Sequence, residues 1–173
     1  MRLRLHSPDP SDPAAATRSG RSPSRRLNLL LTYGGWREHA FADQLPPILD
    51  RIGIDCWRAE SGDEASDVIR RAQVHIAVID LSIPMHGRAP SAGARSAPAG
   101  PRVLQLLKRL DQPPPTIVVR PRQADPSESA RTLAEALREG AFTVLDDPVP
   151  IESMLQALER VVRRHYRDHW PAA

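Results

Sequence analysis

The sequence of 173 residues contains one cysteine, Cys56, and one lysine, Lys108. A single cysteine cannot form an intramolecular disulfide, so the sequence does not describe a small disulfide-rich secreted domain. No hydrophobic run approaches the roughly 20 residues that a membrane-spanning helix needs. We therefore expect a cytoplasmic protein with no membrane among its partners.

Positive charge is concentrated at the start of the chain. Residues 1–26 contain six arginines and two aspartates, a net charge of +4, whereas the whole chain carries +3. Residues 27–173 are therefore nearly neutral, despite a sequence pI of about 9.7. The Arg-, Pro- and Ser-rich composition predicts a disordered basic tail over residues 1–26. Such a tail can bind nucleic acid, but a solvated tail is the simpler interpretation, and we do not expect nucleic acid as the main partner.

Five apolar strand patterns alternate with five helical patterns after this tail. The strands are predicted at 27–31, 54–59, 74–79, 116–119 and 141–145. Such alternation is typical of an α/β fold with a parallel sheet covered by helices on both faces. A doubly wound sheet of order 2-1-3-4-5 satisfies the right-handed crossover rule, and it brings the carboxyl ends of strands one, three, four and five to one edge.

The folded domain is predicted over residues 27–166, followed by a C-terminal tail at 167–173. Residues of about 86–100 consist mainly of Gly, Ala, Ser, Pro and Arg without periodicity, which predicts a flexible insertion. Pro46 and Pro47 lie in the first helical pattern and are expected to kink or restart that helix.

Three motifs, in this order, resemble the signatures of receiver domains from bacterial two-component response regulators. Residues 61–65 are similar to the Gly-x-Glu-Ala start of the family's second helix. Residues 79–84 resemble its phosphoacceptor segment, with a proline four residues after Asp80. Residues 140–141 followed by 147–148 resemble its Gly-Ala and Lys-Pro pair around strand five.

This resemblance covers about residues 27–165 and implies the flavodoxin-like three-layer receiver fold, with Asp80 at the phosphoacceptor position. It also implies two metal-binding acids after strand one, where this chain has Thr32 and Tyr33. Glu38 is the nearest acid, but it lies beyond the turn and is interpreted as a solvated residue. The resemblance thus predicts that the magnesium ligands of the family are missing.

Two further family positions have changed. A Ser or Thr is expected where Arg120 ends strand four, and a lysine is expected where Asp147 precedes Pro148. Lys108 is the only lysine in the sequence, so no neighbouring lysine replaces the missing one. The resemblance therefore indicates an atypical receiver domain that retains only the acceptor Asp80.

The charged residues at this edge allow more than one arrangement. Because strand four lies between strands three and five, Arg120 is predicted to bridge Asp80 and Asp147. The simpler alternative is that Arg120 points into solvent. For Asp80, the simpler interpretation is a carboxylate that caps the following turn and stays partly solvated.

The resemblance implies a stand-alone response-regulator signalling domain that acts by protein–protein interaction, independently of phosphorylation. Its partners would be signalling proteins such as a histidine kinase or an output protein, with a homodimer as a further option. One alternative is a phosphorelay receiver phosphorylated on Asp80, the only case in which a cofactor, magnesium, is expected. The other is a regulator that binds nucleic acid through its tail. No nucleophile motif or Gly-rich phosphate loop is present, so we expect neither an enzyme nor a catalytic residue.

Overall fold

The computed structural model describes residues 26–33, 40–87, 98–122 and 125–167. These residues form five strands and five helices in alternation. The strands are β1 (Leu27–Thr32), β2 (Ile54–Ala59), β3 (Ile76–Asp80), β4 (Thr116–Pro121) and β5 (Ala141–Asp147). The helices are α1 (Ala40–Arg51), α2 (Gly62–Arg71), α3 (Gly100–Lys108), α4 (Pro126–Arg138) and α5 (Ile151–Tyr166). The sheet is parallel with the order β2-β1-β3-β4-β5, which confirms the predicted fold.

A hydrophobic core lies on each face of the sheet. Successive side chains of a strand point to opposite faces, so Leu29 and Leu31 enter the core shared with α1 and α5, and Leu30 enters the core shared with α2 and α3. The central strands β1, β3 and β4 are almost wholly buried. The edge strand β5 is half-buried. In the part of the chain that the structure describes, no helix is long and apolar enough to cross a membrane.

The first helix differs from the prediction. α1 continues from Ala40 to Arg51 through Pro46 and Pro47, so of the two predicted outcomes, a kink or a restart, the restart does not occur. Both prolines remove a backbone donor from the helix. A buried apolar face holds the helix against the sheet in spite of this loss; it consists of Ala42, Leu45 and Leu49.

The start of the folded domain also differs from the prediction by one residue. Arg26 was assigned to the tail, but its Nε donates to Asp55 Oδ1 at 2.7 Å and its Nη2 to Asp50 Oδ1 at 2.5 Å. Arg26 therefore joins β2 and the end of α1. The rest of the predicted tails, residues 1–25 and 168–173, lies outside the described residues.

The predicted insertion ends earlier than expected. Residues 88–97 lie outside the described part of the chain, whereas Gly100, which was assigned to the insertion, is buried and begins α3. The Ala99 N–H donates to Ile83 O at 2.8 Å. A Cβ on Gly100 would lie 2.4 Å from Leu81 Cα, so the start of α3 approaches the loop after β3 at a distance that only glycine allows.

Candidate functional site

The carboxyl ends of four strands bring the predicted site residues to one edge of the sheet. Thr32, Asp80 and Asp147 end β1, β3 and β5, and Arg120 is the last residue but one of β4. Tyr33 and Pro148 follow β1 and β5 directly, and the Asp147–Pro148 peptide bond is cis. The sequence therefore predicted the location of the site, but several side-chain contacts differ from those expected.

Asp80 holds the turn that follows it. The residue is 3% exposed, and its Oδ1 accepts hydrogen bonds from the Ser82 backbone N–H at 2.8 Å and from Ser82 Oγ at 2.6 Å. An aspartate that accepts from the backbone two residues later forms an Asx turn. The turn-capping interpretation is confirmed. The expectation of a partly solvated carboxylate is wrong, because Asp80 is buried.

Thr32 joins the ends of β1 and β3. Its buried hydroxyl accepts from the Asp80 backbone N–H at 2.9 Å and donates to Val78 O at 3.3 Å. A buried backbone N–H that lacks a partner is costly, so this hydroxyl has a structural task at the position where the resemblance implies an acid. The Thr32 hydroxyl therefore binds backbone groups of β3 both as donor and as acceptor.

The described residues do not fit magnesium, the ion that a phosphorylated Asp80 would need. Mg²⁺ requires oxygen ligands, with carboxylates from the protein, in octahedral geometry. Beside Asp80, β1 supplies the hydroxyl of Thr32, which is engaged with backbone. Over residues 26–33, 40–87, 98–122 and 125–167, no group of three or more His, Cys, Asp or Glu side chains could hold a metal ion.

Tyr33 belongs to a separate polar cluster at the same edge. Its hydroxyl donates to Glu60 Oε1 at 3.1 Å and accepts from Arg58, whose guanidinium carbon lies 4.7 Å from the centre of the Tyr33 ring. Arg58 also donates to Asp43 Oδ1 at 2.9 Å, which links the cluster to α1. Burial and the hydrogen bond to Glu60 raise the pKa of Tyr33, so the phenol stays neutral.

Arg120 turns away from Asp80. It is 7% exposed, and its Nε donates to Asp146 Oδ1 at 2.6 Å. Nη2 donates to Ser129 Oγ at 2.9 Å, and Nη1 donates to the Ser129 carbonyl oxygen. The predicted bridge from Arg120 to Asp80 and Asp147 is wrong, and so is the alternative of a solvent-exposed side chain.

The register of the sheet explains this choice of partner. Arg120 pairs with Asp146 across β4 and β5, and paired residues project from the same face of a parallel sheet. Asp147, one residue later, projects from the opposite face. Sequence reasoning missed Asp146 because it aligned strand ends rather than register. It also missed Ser129, which lies in the first turns of α4.

Lys108 lies beside the carboxyl end of α4 and does not replace the lysine that the resemblance implies at position 147. Its Nζ donates to the Arg138 carbonyl oxygen at 3.1 Å and to Glu139 Oε2 at 3.5 Å. These groups lie at the carboxyl end of α4, whereas Asp147 lies at the carboxyl edge of the sheet. The single lysine therefore ties α3 to the end of α4.

Comparisons with family models and with curated proteins found no match. Solved structures of receiver domains do match. A signal receiver domain from Vibrio parahaemolyticus matches with a TM-score of 0.62 at 17% identity, over 83% of this chain and 95% of that chain.

Two further structures agree with this result. A CheY-like response regulator receiver domain protein from Methanospirillum hungatei matches with a TM-score of 0.60 at 18% identity, over 83% of this chain and 98% of that chain. The receiver domain of a Francisella response regulator matches with a TM-score of 0.59 at 20% identity, over 80% and 98% of the two chains. The chain therefore has the fold of response-regulator receiver domains.

Proposed function

We propose that this chain is a receiver-fold signalling domain that acts through protein–protein interaction and without phosphorylation of Asp80. The supporting observation is the pair of contacts at the ends of β1 and β3. Thr32 binds backbone on both sides, and Asp80 Oδ1 accepts two hydrogen bonds from Ser82. Thr32 and Asp80 thus stabilise the ends of β1 and β3 and the turn that follows β3.

Charge supports the same proposal. A phosphoryl group on Asp80 would place additional negative charge at a position that is 3% exposed. Buried charge is costly unless a metal ion or a cation compensates it. The guanidinium of Arg120, on the neighbouring strand β4, is engaged with Asp146 and Ser129.

Amide chemical shifts measured with beryllofluoride and magnesium test the proposal. Beryllofluoride mimics an acyl phosphate, and we expect it to leave the amide signals of Thr32, Asp80 and Ser82 unchanged in the full chain. Saturable, magnesium-dependent shifts that disappear in Asp80→Asn would overturn the proposal and establish the alternative of a phosphorylated receiver.

A restored variant provides the positive control. The triple substitution Thr32→Asp, Arg120→Thr and Asp147→Lys returns an acid, a hydroxyl and a lysine to the positions that the resemblance implies. We expect magnesium-dependent shifts to appear in this variant if these three positions account for the loss. This control shows that the fold can report the response when the chemistry is present.

For the interaction itself, we propose the surface formed by α4, β5 and α5, with a signalling protein or a second copy of the chain as partner. Leu133 and Leu137 are exposed on α4, and Arg131, Glu135 and Arg138 are exposed on the same helix. The exposed charges chosen for reversal are Arg131, Arg138, Glu152 and Glu159.

A pull-down with the full chain identifies the partner, and titration then gives its affinity for the charge-reversal variants. We expect the affinity to fall by about tenfold or more for the α4 and α5 reversals, since like charges at an interface cost free energy. Reversal of the exposed Arg71 on α2 is the matched control. Equal affinities for all variants would show that this surface is wrong. Binding that is lost with residues 1–25 and falls steeply with salt would instead favour the nucleic-acid alternative.

A further inference from the structure

Helix α4 is held by little apolar packing. Ala136 is its one buried residue. Leu133 is 37% exposed and Leu137 is 50% exposed, although both are large apolar side chains. Burial of apolar surface is the main force that fixes an amphipathic helix on a sheet, so other contacts must contribute to the position of α4.

The first of these contacts comes from β4. Arg120 extends from the sheet to Ser129, where it donates to both the carbonyl oxygen and the hydroxyl, and its Nε is held by Asp146 of β5. The arginine side chain is 9% exposed. One guanidinium therefore joins β4, β5 and the first turns of α4, and its planar fork fixes the direction of each bond.

The second contact lies at the other end of α4. Lys108 of α3 donates to the Arg138 carbonyl oxygen at 3.1 Å, and its ammonium lies 3.5 Å from Glu139 Oε2. A cation at the carboxyl end of a helix also stabilises the negative end of the helix dipole. Each end of α4 thus contacts a basic side chain from a neighbouring element.

We infer that α4 is a latch that opens separately from the sheet and that Arg120 holds closed. Loss of the Arg120 contacts would release the first half of α4, while β1, β3 and β4 stay folded because apolar burial holds them. Since Leu133 and Leu137 lie on α4, the latch controls the surface that carries them. This inference does not depend on whether Asp80 is phosphorylated.

Backbone amide exchange in the full chain tests the latch. In Arg120→Ala we expect the amides of residues 129–132, in the first half of α4, to exchange about tenfold faster or more, because local opening becomes easier. They should also open at a lower free energy than the slow amides of β1 and β3, which report global unfolding. Arg120→Lys should be intermediate, since one ammonium cannot make the contacts of the fork. Arg131→Ala removes an exposed pair with Glu135 on the same helix and is the matched control.

Two outcomes would overturn the latch. One is exchange in α4 of Arg120→Ala that equals that of Arg131→Ala. The other is an opening free energy of the α4 amides that equals that of the slow β1 and β3 amides, which indicates that α4 opens only in global unfolding. If Arg120→Ala does not fold, Asp146→Ala and Ser129→Ala decide the question, because each keeps the arginine and removes one side-chain acceptor. Faster exchange in the first half of α4, at an opening free energy below that of the slow β1 and β3 amides, supports the latch, and unchanged rates in both variants contradict it.

Discussion

The central strands and the α4–β5 margin of this domain are held in place by different forces. β1, β3 and β4 are buried between two layers of helices, and their position rests on apolar contacts. In the margin, β5 is half-buried, and α4 depends on the hydrogen bonds of Arg120 and Lys108. The comparison teaches that changes of charge should act on the margin and leave the centre intact.

The largest expected difference in stability is between replacing a leucine by alanine in the central strands and doing so in the α4–β5 margin. Leu30→Ala removes a fully buried side chain from the central strand β1 and should lower the free energy of unfolding by about 3 kcal/mol, since a cavity remains. Leu133→Ala on α4 should cost less than about 1 kcal/mol because that side chain is already partly exposed. Urea unfolding measures both values. Equal losses would break the comparison.

Arg120 should have the next largest effect. Arg120→Ala is expected to cost about 2 kcal/mol, since it removes three hydrogen bonds made by a charged group. In double-mutant cycles by urea unfolding, the coupling energy with Asp146→Ala should be about 1 kcal/mol and that with Asp80→Ala below about 0.5 kcal/mol. A larger coupling energy with Asp80→Ala than with Asp146→Ala would contradict this assignment and favour a bridge from Arg120 to Asp80.

Thr32 tests a polar contact inside the central strands. Thr32→Val keeps the shape of the side chain but leaves the buried Asp80 N–H without its acceptor, so a loss of about 1–2 kcal/mol is expected in thermal or urea unfolding. Thr32→Ser keeps the hydroxyl and is the matched variant. If Thr32→Val and Thr32→Ser lower the free energy of unfolding by the same amount, the hydroxyl does not support the end of β3.

The smallest effect concerns pH at the amino edge of the sheet. His75 Nδ1 accepts from the Asn28 backbone N–H at 2.8 Å, and burial lowers the pKa of His75 from its ordinary value of 6.5. Between pH 6.5 and the lowered pKa, the unfolded chain binds more protons at His75 than the folded chain does. The free energy of unfolding should therefore fall as pH decreases from 7 through 6.5 toward the lowered pKa.

His75→Asn offers an acceptor that does not titrate and should reduce this pH dependence in urea unfolding between pH 7 and 5. His86→Gln, on an exposed loop residue, is the control. His165 carries a burial-lowered pKa as well, so a smaller dependence of the same sign should remain in His75→Asn. An unchanged slope would show that the His75 imidazole is not coupled to folding.

Hydrophobic pattern was enough to predict five strands and five helices in alternation and a parallel sheet. Apolar runs such as 27–31 are local features, whereas the order 2-1-3-4-5 is one of the orders that the crossover rule allows and the one that the resemblance to receiver domains implies. The helix starts at Ser61 and Asp125 were also predictable, since a capping side chain bonds within three residues of its own position.

The remaining features depend on tertiary contacts, which the hydrophobic pattern does not specify. The partner of Arg120 follows from register between β4 and β5, and a shift of one residue exchanges Asp146 for Asp147 on the face concerned. Gly100 looked like part of an insertion because its role comes from the close approach of α3 to Leu81, a tertiary contact. Burial of Asp80 likewise depends on the layers around it.

The anchored start of α3 has a practical consequence for protein engineering. Asp63 N–H donates to Met85 O at 3.0 Å, and a Cβ on Gly62 would meet Met85 Sδ at 3.3 Å and Ala99 Cβ at 2.5 Å. The start of α2 thus lies close both to Met85, in the loop after β3, and to Ala99, the residue before α3. A side chain at position 62 would therefore disturb the loop after β3 and the start of α3 together, so Gly62 should be kept when the domain is engineered.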